Sequence, residues 1–127
     1  MNPILNLLME MESTGKPMAF RPPASSEALA AAACRGLPRS QLLLWSVTDG
    51  CEINVPGTIL YDLEEARSRA APDGLFPLGR MNFGDELFLT PQGQVLQLDH
   101  ENGTVFLDWL DLDAFLRDEL SALREEG

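Results

Sequence analysis

Cysteine is scarce in this chain. There are two, Cys34 and Cys51. A small secreted domain stapled by disulfides needs more than that. Both are read as free thiols of a reducing compartment, with a single bridge between them as the alternative. Long apolar runs are missing as well. None approaches the roughly 18 residues of a membrane-spanning helix. Met1 to Met11 is apolar but has no basic flank, contains Glu10 and is followed directly by Glu12, which is unlike a signal peptide. A cytoplasmic location is expected. No glycine-rich phosphate loop is present, because Gly79, Gly84 and Gly93 are too scattered.

Positive charge is the other shortage. Nine lysines and arginines face twenty acids, for a net charge of −11. From Met81 onward eleven acids face only Arg117 and Arg124, a surplus of nine negative charges. Nucleic acid needs the opposite sign, and anionic membrane surfaces are disfavoured for the same reason. A basic protein partner would be attracted and steered. Solubility alone is the other reading of the same charge.

What is present fits one domain. The chain has 127 residues, 45% of them hydrophobic, enough to bury a core without staples. The stretch from Gly84 to Trp109 organises it. Three apolar runs, Leu87 to Leu89, Val95 to Leu98 and Val105 to Leu107, are separated by two turn signals. Thr90-Pro91-Gln92-Gly93 presets one hairpin and Asn102-Gly103 the other. The pattern predicts a three-stranded antiparallel meander. Leu96 and Leu98 alternate with Gln97 and Asp99, which predicts a buried leucine face and a wet polar face. A meander of this kind needs helices over its apolar side.

The rest of the chain supplies them. Asn2-Pro3 caps and opens a first helix with Ile4, Leu5, Leu7, Leu8 and Met11 on one face. Lys16 to Pro23 reads as an extended connector. Ser25 or Ser26 starts an alanine-rich helix that Gly36 ends. Pro38 opens a third helix, apolar nearly all round and expected to be central, with Trp45 in the core. Cys51 to Val55 and Thr58 to Tyr61 read as strands around a Pro56-Gly57 turn. Asp62 and Glu65 match a capping box for a short helix. Pro77 makes the strand near Leu75 to Leu78 an edge or an irregular one. Asp111 caps a last helix whose Leu112, Phe115, Leu116, Leu120 and Leu123 share a face.

The expected fold is α+β: one antiparallel sheet of about four to six strands, covered by helices. Residues 1–127 form a single domain, with 1–23 as N-terminal helix and connector.

The order of these parts resembles the SUKH superfamily, from about Ala24 to Leu120. The carriers are Leu37-Pro38, Asp49-Gly50, Leu75-Phe76-Pro77-Leu78-Gly79, Gly84-Asp85, Gly93-Gln94-Val95, Asp99-His100, and Asp111-Leu112 with Phe115-Leu116. That superfamily includes yeast cell-wall assembly regulators, bacterial Syd-like proteins and many immunity proteins of bacterial toxin systems. Here alanines replace the glutamate often found before Leu-Pro. Asp49-Gly50 replaces Asn-Gly, and Asp111 replaces a serine cap. The resemblance implies binding rather than catalysis. Immunity members dock on a toxin domain, often a nuclease with a basic groove, where carboxylates can replace phosphates.

Chemistry beyond binding has few carriers. His100, the sole histidine, sits near Asp99, Glu101 and Asp108, but the spacing matches neither a zinc nor an EF-hand pattern. No metal and no cofactor is expected. Cys34, Cys51 and His100 suggest no nucleophile–base arrangement, and Cys34 reads as a small core residue. The acids Asp85, Glu86, Asp99, Glu101 and Asp108 are the expected partner-binding residues. Trp109 is either an interface anchor or the residue that packs the last helix on the sheet. The expectation is a non-enzymatic immunity protein, monomeric or weakly self-associating, that binds a basic toxin domain. A regulatory or scaffold module of the same fold is the alternative, and a small enzyme the third reading.

Overall fold

The computed structural model describes residues 2–55 and 57–125. Pro56 of the expected Pro56-Gly57 turn lies outside them. Five helices and seven strands occur among the described residues. Their order is α1 (Pro3–Glu12), β1 (Met18–Phe20), α2 (Ser26–Cys34), α3 (Arg39–Val47), β2 (Cys51–Ile53) and β3 (Thr58–Leu60). Then come α4 (Leu63–Ser68), β4 (Phe76–Arg80), β5 (Glu86–Leu89), β6 (Val95–Leu98), β7 (Val105–Trp109) and α5 (Leu112–Glu125). The strands lie side by side in chain order and every pair is antiparallel. The fold is therefore α+β, as expected, with one strand more than the expected range.

That seventh strand is β1. It falls inside the connector read from Lys16 to Pro23 and pairs Met18 with Ile53 and Phe20 with Cys51. Three residues flanked by prolines carry no readable period, so the pairing is decided by β2 and not by local propensity. Pro77 is tolerated because the β4–β5 register shifts between Pro77 and Gly79.

Local signals set the helix ends. Asn2 Oδ1 accepts from Ile4 N at 3.0 Å, Ser25 Oγ from Ala28 N at 3.1 Å, and Asp111 Oδ1 from Ala114 N at 2.8 Å. Asp62 Oδ1 accepts from Glu65 N at 2.7 Å, as a capping box requires. The Glu65 carboxylate does not complete the box; it turns to Arg69 at 3.4 Å.

The main core lies where α1, α3 and α5 cover one face of the sheet. Ile4, Leu8, Met11, Leu44, Leu89 and Phe115 are among its buried members. The five residues predicted for the inner face of α5 are all buried. A smaller cluster joins Ala32, Trp45, Tyr61, Leu63 and Ala66. Leu44 and Trp45 are neighbours on α3 yet serve different clusters, so this helix is central as its sequence suggested. Trp45 Nε1 donates to the Tyr61 carbonyl at 3.0 Å.

Two expectations are corrected. In α2 Ala32 is the buried member of the helix, and Cys34 is exposed rather than core. Cys51 is buried and both thiols are free. In β6 the expected faces are reversed: Val95 and Gln97 are buried, while Leu96 and Leu98 are half-buried. Register explains this. Val95 and Gln97 lie opposite Leu89 and Leu87, which face the main core.

Candidate protein-binding face

Gln97 is buried at 2% exposure because it has a fixed partner. Its Nε2 donates to Asp85 Oδ2 at 2.8 Å. Asp85, just before β5, is itself 4% exposed. Its Oδ1 accepts from the His100 backbone N–H at 3.0 Å and stands 2.5 Å from His100 Nδ1. An ionised carboxylate only accepts, so Nδ1 carries the proton in this pair. The His100 bond, then that from Gln97, holds Asp85 below its ordinary carboxylate range against the opposing effect of burial. The same bond to Asp85 raises His100. Gly84 allows the approach. It has φ +109°, and a Cβ there would stand 3.3 Å from the His100 ring.

This network ties the β4–β5 turn to the β6–β7 turn. In the latter, Asp99 Oδ1 accepts from Glu101 N at 2.7 Å, and Asp99 N donates to the Thr104 carbonyl at 2.8 Å. Gly103 closes the turn at φ +73°. Ligand atoms of Asp85, Asp99 and His100 lie within 4.8 Å of one another. Both Asp85 oxygens and one Asp99 oxygen already accept from amides or from the His100 ring. The Asp85 carboxylate therefore serves as a turn brace, with both of its oxygens engaged inside the fold.

The expected partner-binding acids are placed differently from one another. Asp85 is interior, and its carboxylate is consumed inside the fold. Glu86 and Asp99 are half-buried and line a cleft of about 350 Å³ with Phe88, Leu98, Ala71 and Pro72. Glu101 and Asp108 are exposed, on the turn and on β7. Trp109 packs. Its ring meets Phe115 edge-on at 4.9 Å, and its Nε1 donates to Asp118 at 2.7 Å.

A row of exposed apolar residues on and after β7 was not among the expected site residues. Val105, Phe106, Leu107 and Leu110 are 53%, 62%, 47% and 77% exposed. Val105 to Leu107 reads as an apolar run of a meander that needs helices over its apolar side. Yet β7 is last in the sheet order, so its outer side has no strand partner among the described residues. Gln97 faces Leu107 and Leu98 faces Val105, which leaves Phe106 as the extra residue of a bulge.

A second cleft, of about 300 Å³, is lined by Glu52, Tyr61, Arg69, Arg80 and Glu86. The Tyr61 hydroxyl is buried without a hydrogen-bond partner among the described residues. Burial is the main reason its pKa is raised. The Arg69 guanidinium lies 4.8 Å from the Tyr61 ring centre.

No family model matches the chain, and no curated protein matches it in sequence.

Proposed function

We propose that this chain is a non-catalytic protein-binding domain, most concretely a SUKH-like bacterial immunity protein that works in the cytoplasm and neutralises a cognate toxin by docking on a basic surface. One observation carries the reading: Phe106 and Leu110 are exposed large apolar residues inside a stretch rich in acids and without lysine or arginine. No lysine or arginine occurs between Arg80 and Arg117. Apolar anchors ringed by charge of one sign are the composition of a docking face, not of a merely soluble surface. Glu101 and Asp108 steer a basic partner to that face, with Glu86 and Asp99 behind them. Trp109 supports β7 from the α5 side.

Catalysis is set aside because its two best carriers are used otherwise. His100 braces a turn through Asp85. The Cys51 thiol is pushed up to about 12 by burial, far from a reactive thiolate. No helix among the described residues is long and apolar enough to cross a membrane.

The test is protection. The open reading frame beside the gene is expressed alone and together with this chain. Growth arrest by the neighbour alone, relieved by co-expression, is the expected result. A neighbour that arrests growth equally with and without this chain would contradict the immunity reading.

A further inference from the structure

We infer that the outer edge of β7 takes an extended, lysine- or arginine-bearing segment of a partner protein as an added strand. This rests on the protein-binding reading above and names its mode. Three observations meet at this edge. The first is topology: β7 ends the sheet, so the backbone N–H and C=O groups that point away from β6 meet no further strand among the described residues. The second is that two of the usual guards are missing. Natural edge strands are blunted by lysine, proline or a bulge. Val105 to Leu110 contains neither lysine nor proline. The bulge at Phe106 is present, and it bends that end of the strand. Pairing is thus left to Leu107 to Trp109, with Phe106 as a side-chain anchor beside it.

The third observation is the sign of the charge. Asp108 lies on the exposed strand, Glu101 on the turn before it, and Asp111 and Asp113 follow it. A second copy of this chain brings the same acids and a net charge of −11, so self-pairing along β7 is opposed. A cationic strand with alternating apolar residues is favoured on both counts. Its apolar side chains meet Leu107, on the face of Gln97, and its cations meet Asp108, on the face of Leu96, and the flanking acids.

The test uses the full chain, isotope-labelled, with a short peptide of alternating lysine and valine as probe. A glutamate–valine peptide of equal length is the control. The expected result is amide exchange slowed at least about tenfold within Val105–Trp109 by the lysine peptide, and not by the glutamate peptide. Asp108→Lys, at an exposed position, should keep the native spectrum and reverse the preference. Protection by both peptides alike, or by neither at about 1 mM, overturns the inference. So does a stable dimer in sedimentation whose own β7 amides are protected, because a second copy then occupies the edge. Failure here is separable from failure of the functional reading. A chain that protects cells from its neighbour yet takes no peptide keeps the function and loses this mode of docking.

Discussion

Asp85 Oδ1 and His100 Nδ1 stand 2.5 Å apart, fifteen residues apart in sequence, and join the two turns that frame β5 and β6. This pair predicts how stability follows pH. The folded-state pKa of His100 is raised above its ordinary 6.5, so its contribution is complete below that value and is lost as pH rises through the raised one. Asp85 is lowered from 3.8, so its contribution is present above that value and is lost as pH falls through the lowered one. Urea midpoints should therefore decline above about pH 6.5, and His100→Ala should flatten that decline. An unchanged slope in the variant would remove His100 from the account.

The last helix should be strongly sensitive at Phe115. The ring is fully buried and meets Trp109 edge-on. Phe115→Ala is expected to cost about 3–5 kcal/mol in chemical denaturation. A loss under about 1 kcal/mol would mean that α5 does not pack on the sheet through this residue.

The Tyr61 hydroxyl gives the opposite expectation. A buried donor without a partner carries its desolvation penalty uncompensated. Tyr61→Phe should be neutral or stabilising by up to about 1 kcal/mol. A loss larger than that would show that the hydroxyl has a partner, an ordered water or an ion, in the folded protein.

Metal is tested directly at Asp85, Asp99 and His100. Because the Asp85 carboxylate already braces the turns, a chelator should leave the melting temperature unchanged, and added zinc should not raise it. One ion retained per chain and lost on unfolding would overturn the brace.

Where a feature is local, it was legible in sequence. Asn2-Pro3, Ser25, Asp62 and Asp111 mark helix starts because a cap needs only an amide two or three residues away. The hairpins at Gly93 and Gly103 are local for the same reason. The buried Gln97 was not legible, because its acceptor is Asp85, twelve residues away across a strand pair. A glutamine in an alternating strand looks wet until that partner is placed. β1 was hidden by its prolines and shortness. The exposure of Phe106 was hidden because an apolar run reads alike on an inner and an edge strand; only the sheet order separates them. The acid-rich surface was visible in composition, but not that Asp85 would leave it for the interior.

The most direct measurement is association kinetics against the protein encoded beside the gene, over a salt series. The comparison is between the native chain and Glu101→Lys with Asp108→Lys, both exposed positions. The account predicts association at low salt slowed at least about tenfold in the double variant. The difference should fade as salt shortens the Debye length below about 8 Å, with dissociation changed less. A variant that stays folded and associates as fast as the native chain at low salt would contradict a docking role for this acidic face.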